Sequence, residues 1–385
     1  MKKLKVMTIF GTRPDAVKMA PLVKELEKYP EIEPIVCVTA QHRQMLDQVL
    51  DVFKITPQFD LNIMQERQSL EQITSRTLEG LAPVFDETRP DIALVHGDTT
   101  TCFSASLAAF YKKIPVGHVE AGLRTSDKYS PYPEEMNRRL TGVLADMHFA
   151  PTEANRDNLL REGICPDNIY VTGNTVIDAL KTTVRNDYIF KNDTLRNLDI
   201  SGKRVITVTA HRRENLGEPL EQICLALSDI AESYKDVLII YAVHLNPLVR
   251  ETAYRFLGGK SRVCLIDPLD VLDMHNLMYR SYMIMTDSGG LQEEAPSLGK
   301  PVLVLRKETE RPEAVAAGTV RLAGINRDRI RALAAQLLDD KDEYSKMAKA
   351  VNPYGDGFAS RRIAEALLYE FGFSGAKPAE FKPEI

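Results

Sequence analysis

The chain has 385 residues and a net charge of −5. At roughly 150 residues per domain that predicts two or three domains. A slightly acidic chain is not drawn as a whole to nucleic acid or anionic membrane, so neither is expected as a partner, and any phosphate binding must come from a local site.

The N-terminus MKKLKVMTIF sets basic residues before an apolar run, as a secretory leader does. That run is too short and ends in GTRPD with no small-residue cleavage site, so it reads as a first strand. Further candidate strands follow at Pro34–Thr39, Asp91–His96, Val116–Val119, Met147–Ala150 and Ile169–Thr172, after the first at Lys5–Phe10. Helical patterns lie between them, such as Ala16–Lys28, Leu70–Phe85 and Thr101–Tyr111. Alternation of this kind predicts a parallel sheet with right-handed crossovers. A polar stretch, about Arg185–Lys203, reads as a linker. The rhythm then restarts with candidate strands Arg204–Thr209, Val237–Val243, Val263–Asp267, Met283–Thr286 and Val302–Leu305. The expected fold class is therefore α/β: two Rossmann-like, doubly wound domains with a cleft between them, and ligands at the carboxyl ends of the strands. The domains are expected at 1–175 and 200–358, and a last helix at about 359–371, after NPYGDGF, is expected to cross back to the first.

No apolar stretch reaches the roughly 18 to 20 residues that span a bilayer. The five cysteines (Cys37, Cys102, Cys165, Cys224, Cys264) are odd in number, dispersed and free of CxxC or Cys/His ligand spacing. They read as reduced thiols of a cytoplasmic protein. The acidic run Asp339–Asp342 reads as a charged turn, and no metal site is expected.

Four stretches carry chemistry. GTRPDAVK (Gly11–Lys18) joins a strand to a helix with Pro14 in its first turn, so helix-start amides with Arg13 and Lys18 form an anion site or simply a βα turn with surface cations. Val95–Arg139 contains VHGDTT, HVEAGLRT and YSPYPEEMNRR, with three carboxylates, Asp98, Glu120 and Glu134, at strand ends or a helix start. Gathered at one sheet edge they suggest proton transfer. Each alone is as readily a helix cap or an ion-pair partner: Asp98-Thr99 can cap a helix from Thr100, and Glu134 can pair with Arg138 at i, i+4. TAHRRENLG puts His211, Arg212 and Arg213 after a strand, positive charge suited to a departing phosphate. TDSGGLQEEAPSLGKP runs a strand into Asp287, Ser288, Gly289 and Gly290 and then a helix, whose two glycines expose amides suited to a diphosphate. Glu293 or Glu294, one turn on, can accept from ribose hydroxyls; an ordinary capped helix is the alternative. No GxGxxG occurs, and no cofactor is expected.

These stretches, with AQHRQMLDQVL, TGNTVIDAL, VHLNP and NPYGDG, make the chain similar to the non-hydrolysing UDP-N-acetylglucosamine 2-epimerases of bacteria, over roughly residues 4–370. The resemblance implies the glycosyltransferase-B architecture, a cytoplasmic homodimer, and reversible conversion of UDP-GlcNAc to UDP-ManNAc for cell-envelope polysaccharide synthesis. The implied route eliminates UDP, passes through 2-acetamidoglucal and re-adds UDP. By resemblance Asp98, Glu120, Glu134, Arg138 and His211 are catalytic. Arg13, Lys18, Asp98, Glu120, His211, Leu269, Met274, Ser288, Gly289, Gly290, Glu294 and Arg311 contact the substrate, with Leu269 and Met274 at the uracil. Gln41, His42, Gln44, Arg67, Gln68 and His244 match a second UDP-GlcNAc site that activates some relatives. Three departures stand out: Asp15 for the usual Glu, a change expected to matter little, Met274 for an aromatic, and Lys307-Glu308 for Asp-Thr. A hydrolysing relative, a UDP-sugar glycosyltransferase of the same fold and a nucleotide-sugar sensor are the rival readings.

Overall fold

The computed structural model describes residues 2–41, 43–65, 67–125, 127–383. It divides into two compact units, one of Met1–Thr182 with Tyr354–Lys382, the other essentially Thr183–Pro353. The helix Ala359–Glu370 belongs to the first unit and packs against its opening helix, Arg13–Leu26.

The first unit holds a seven-stranded sheet: β1 (Leu4–Phe10), β2 (Ile32–Val38), β3 (Phe59–Asp60), β4 (Ile92–His96), β5 (Val116–Val119), β6 (Met147–Ala150) and β7 (Ile169–Val171). The spatial order is β3-β2-β1-β4-β5-β6-β7, with every pairing parallel. The second unit holds β8 (Arg204–Thr209), β9 (Val237–Ala242), β10 (Val263–Ile266), β11 (Met283–Thr286), β12 (Val302–Val304) and β13 (Val320–Leu322). Its order is β10-β9-β8-β11-β12-β13, again all parallel. The fold class is as the sequence predicts, two doubly wound α/β domains.

Helices cover both faces of each sheet, so the central strands are apolar throughout rather than alternating. VLIIYA of β9 is buried at all six positions. The second unit's main core gathers Ile206, Leu227, Ile239, Tyr241 and Met285 from strands and helix alike. The first unit's core does the same with Met7, Ile9, Phe85, Val95 and Ala105.

Each sheet reverses its winding between two neighbours, β1/β4 in the first unit and β8/β11 in the second. Such a switch point opens a crevice at the strands' carboxyl ends. GTRPD leaves β1 and GDTT leaves β4; AHRR leaves β8 and DSGG leaves β11. Each crevice is thus flanked by two of the stretches picked out by chemistry.

Three features depart from expectation. Strands β3 and β13 were not anticipated; they are edge strands of two and three residues, too short to show periodicity. The polar stretch 185–203 is folded into the second unit rather than strung as a linker. Phe190 and Leu195 are buried with Val205 and Ile240, and Asp273 accepts hydrogen bonds from Tyr188 Oη (2.7 Å) and the amides of Lys191 (2.9 Å) and Asn192 (2.8 Å). A short helix, Asp193–Asn197, is N-capped by Asn192. Its apolar anchors are few and spaced among charges, which is why composition alone suggests a linker.

Candidate functional site

In the first unit, β1 runs into Gly11, where a Cβ would lie 1.9 Å from Thr39 Oγ1, so only glycine fits. The helix Arg13–Leu26 follows with Pro14 in its first turn and no side-chain cap from Thr12. Its opening amides are thus left for a ligand or solvent. Lys18, one turn in, ion-pairs with Glu120 Oε1.

Glu120 follows β5 with φ of 62°, a left-handed conformation costly for a residue with a Cβ. Asn174 Nδ2 donates to its Oε1 at 3.0 Å, and His96 Nε2 lies 3.0 Å from its Oε2. Burial works to raise the Glu120 carboxyl, but Lys18 and then His96 outweigh it and hold the group well below the ordinary range. Glu120 is an anion with Lys18 and Asn174 on one oxygen and the His96 ring beside the other.

Asp98 follows β4. It is not the cap of the next helix, Thr100–Tyr111: Thr99 Oγ1 takes that role, accepting from the Cys102 amide at 3.2 Å. The Asp98 carboxylate instead receives Arg138 Nε at 2.9 Å and Nη2 at 2.6 Å on Oδ2. Asn137 Nδ2 donates to its backbone carbonyl at 2.9 Å.

Arg138 lies on the helix Glu134–Leu144. The i, i+4 pair with Glu134 does not form: Arg138 turns to Asp98 and to Glu135 Oε2, the latter at 3.1 Å. Glu134 keeps a buried Oε2 with no hydrogen-bond partner. Glu135, fully buried, accepts from Arg138, Arg139 and the Thr125 amide, and so anchors the loop that follows Glu120.

Asp15 is almost wholly buried on the opening helix and accepts from Thr99 Oγ1 at 3.3 Å. Burial, with Asp98 adding, pushes its carboxyl up to about 6 against the pull of His96.

In the second unit, β8 delivers His211 and β11 delivers Asp287. Asp287 has no exposed surface, and its Oδ2 accepts the amides of His211 (2.6 Å) and Arg212 (2.7 Å) and Asn215 Nδ2 (3.0 Å). One carboxylate oxygen thus folds the whole His-Arg-Arg turn. Oδ1 has no hydrogen-bond partner and lies 3.7 Å from His211 Nδ1. The His211 ring stacks on His244, with centroids 5.0 Å apart. Burial lowers the His211 pKa, against the opposing charge of Asp287.

The helix Gly289–Ser297 begins at the double glycine, and Ser288 makes no side-chain cap, so its hydroxyl is not spent there. Arg311 crosses the turn: a Cβ on Gly289 would meet its guanidinium carbon at 3.3 Å. Arg311 Nε donates to Glu293 Oε1 at 2.6 Å. Glu293 is buried under Arg311, while Glu294 is the more exposed and lies 3.3 Å from His275 Nε2. Leu269 is buried and Met274, in the first turn of Val271–Arg280, packs against the same apolar cluster.

Of the second set of residues, Gln41 and Gln68 meet, Gln68 Nε2 donating to the Gln41 carbonyl at 3.4 Å. Gln41 Oε1 also accepts from Thr101 Oγ1 at 2.9 Å. Gln44 and Arg67 are exposed, Arg67 with φ of 55°. His42 lies outside the described residues.

Sequence reasoning missed His96, Glu135 and Asn174, and the role of Asp287 in folding the His-Arg-Arg turn. Glu135 was legible, because its spacing to Arg138 and Arg139 is i, i+3 and i, i+4. The other three act across strands or loops, which no spacing announces.

The geometry defines a doubly wound α/β protein whose two switch points carry paired anion-receiving and carboxylate loops. The model of the UDP-N-acetylglucosamine 2-epimerase family matches residues 24–368. A Bacillus subtilis UDP-N-acetylglucosamine 2-epimerase is 61% identical over 382 residues, 99% of each chain. The Escherichia coli K12 enzyme of that name is 58% identical over 371 residues, 94% of this chain and 98% of its own. The solved structure of the UDP-GlcNAc 2-epimerase from Neisseria meningitidis bound to UDP-GlcNAc superposes with a TM-score of 0.85 at 52% identity, covering 95% of this chain and all of that one. The chain belongs to the UDP-N-acetylglucosamine 2-epimerase family.

Proposed function

We propose that the chain reversibly epimerises UDP-N-acetylglucosamine at C2, giving UDP-N-acetylmannosamine, and retains the UDP during turnover. The observation that carries this reading is the pair Asp98 and Glu120, two carboxylates that close the adjacent parallel strands β4 and β5, each held by its own cation. Inverting a carbon by proton exchange needs a group for each face, so two acid/base carboxylates are required. A transferase or a sensor needs one at most. Family membership and the Neisseria relative's complex with UDP-GlcNAc support the substrate.

C2 of this sugar is not next to a carbonyl, so its proton is not acidic at the outset. The C1–O bond breaks first, UDP leaving with the electron pair. The oxocarbenium-like carbon acidifies the C2 proton, which passes to a carboxylate and leaves 2-acetamidoglucal. A proton then adds to the opposite face and UDP re-adds at C1. Arg13, His211, the amides of Ser288 to Gly290 and Arg311 supply fixed donors to the departing diphosphate. Lys18 assists beside Glu120. Leu269 and Met274 take the uracil by apolar contact, and Glu294 receives the ribose hydroxyls. Glu134, with its unpartnered buried oxygen, is the third acid/base group. By resemblance, Gln41, Gln44, Arg67, Gln68 and His244 are the residues for a second, activating nucleotide-sugar.

Incubation with UDP-GlcNAc alone in deuterated water, followed by NMR, tests the reading. UDP-ManNAc carrying deuterium at C2 with no accumulating UDP is expected. Free ManNAc with UDP would mean a hydrolysing enzyme. Product that keeps its original C2 hydrogen would rule out the elimination.

A further inference from the structure

We propose that His96 is a positioning residue for Glu120, accepting at Nε2 the proton that Glu120 takes from carbon and then, as imidazolium, holding its Oε2; this rests on the epimerase reading above. His96 ends β4 and Glu120 follows β5, neighbouring strands whose last residues, His96 and Val119, are paired. The imidazole is only 4% exposed, yet neither ring nitrogen has a hydrogen-bond partner. Nε2 is 3.0 Å from Glu120 Oε2 without forming a hydrogen bond, so a modest ring rotation brings its lone pair onto the proton that Oε2 receives. A buried imidazole left unmatched is costly, and such sites are retained where they serve chemistry.

The surroundings leave His96 this one task. Gly97 comes next with φ of 65°, a left-handed turn that glycine adopts without strain. Lys18 and Asn174 hold the other oxygen, Oε1. The charged and titratable groups facing His96 are Glu120 beyond β5, Asp15 and Lys18 from the opening helix, Asp98 from its own loop and His118 from β5. His118 is already committed, with Nε2 at 2.7 Å from the Gly97 carbonyl, and burial pushes it down to about 3. His148 is likewise neutralised by burial, pushed down to about 4.

The step balances as a proton transfer. Glu120, protonated by C2–H, returns to carboxylate as the lone pair of Nε2 on neutral His96 takes the proton, and the resulting imidazolium feels the charge of both Glu120 and Asp15. Two carboxylates around one imidazole stabilise that cation.

The deciding measurement is the pH titration of 15N-labelled histidines in the resting enzyme, with His96 assigned by its absence in His96→Gln. Replacing Glu120 by Gln should lower the His96 midpoint by at least one pH unit, a tenfold loss of proton affinity. An unchanged midpoint overturns the partnership. This readout does not depend on turnover, so a chain that fails to epimerise UDP-GlcNAc would sink the functional reading and leave the pairing to be judged separately. In the active enzyme, His96→Gln keeps a polar group but cannot take a proton, and kcat should fall at least tenfold with little change in KM. His96→Gln turning over at the wild-type kcat overturns the proton-accepting role. Its circular dichroism and melting curve, compared with those of wild type, separate this from misfolding.

Discussion

Arg138 places Nε and Nη2 on one oxygen of Asp98, at 2.9 and 2.6 Å, while its Nη1 reaches Glu135 at 3.1 Å. A guanidinium held at both ends fixes the rotamer of the carboxylate it serves. Asp98 Oδ1 accepts no hydrogen bond among the described residues, so one oxygen is clamped and the other is open for the proposed proton transfer. Arg138→Met should therefore lower kcat by ~10²-fold, the scale expected for a misplaced reacting group. UDP affinity, measured calorimetrically, should stay within about threefold. Equal losses in UDP binding and turnover would show that Arg138 grips the nucleotide instead. On the acid/base role proposed for Asp98, Asp98→Asn should cost ~10²- to 10⁴-fold in turnover.

Asp287 Oδ2 carries three donors, the His211 and Arg212 amides and the Asn215 side chain, with no solvent to replace it. Each buried donor left unmatched costs about 1–3 kcal/mol. Asp287→Ala should thus destabilise the second unit by about 3 kcal/mol or more and loosen the His-Arg-Arg turn. Urea unfolding reads the first effect and UDP titration the second. A variant as stable as the parent would mean the turn is held by other contacts.

Much of this was legible in the sequence, and its limits are physical. Central strands announce themselves because burial on both faces makes them continuously apolar, as in β9. Motifs following them land at the switch points automatically, since the winding puts strand ends there. Partnerships across strands are not encoded by spacing: Asp98 with Arg138 spans forty positions, and Asp287 with His211 spans seventy-six. The local i, i+4 option for Glu134 was visible and is not taken, because the longer-range carboxylate of Asp98 has the better geometry for Arg138. The stretch 185–203 looked like a linker because its order depends on Asp273, some eighty residues away.

Gly289 opens its helix beneath Arg311, and a methyl there would come within 3.3 Å of the guanidinium. The arginine's end can shift by a few tenths of an ångström, and alanine is the better helix former by up to about 1 kcal/mol. Gly289→Ala should therefore leave the melting temperature nearly unchanged while weakening UDP binding, because the displaced guanidinium and the added methyl both intrude where the diphosphate is expected. Unchanged UDP affinity would place the diphosphate elsewhere.

Asp15 gives the chain a pH-dependent weakness. Its carboxyl titrates at about 6 when folded against an ordinary value of 3.8, chiefly because burial penalises the charged form. The folded state therefore holds a proton that the unfolded state has lost between those two values, and stability falls as pH rises through that window. The gap corresponds to on the order of 3 kcal/mol. Asp15→Asn cannot titrate, so its stability relative to wild type should rise by that order between pH 4 and pH 7, with most of the change complete near pH 6. Urea unfolding of both proteins at several pH values in this range checks the slope. A stability difference that stays flat across the window would show that Asp15 is solvated or paired well enough to ionise normally. A difference that grows as predicted would identify Asp15 as a buried acid, kept at a cost in stability near Asp98.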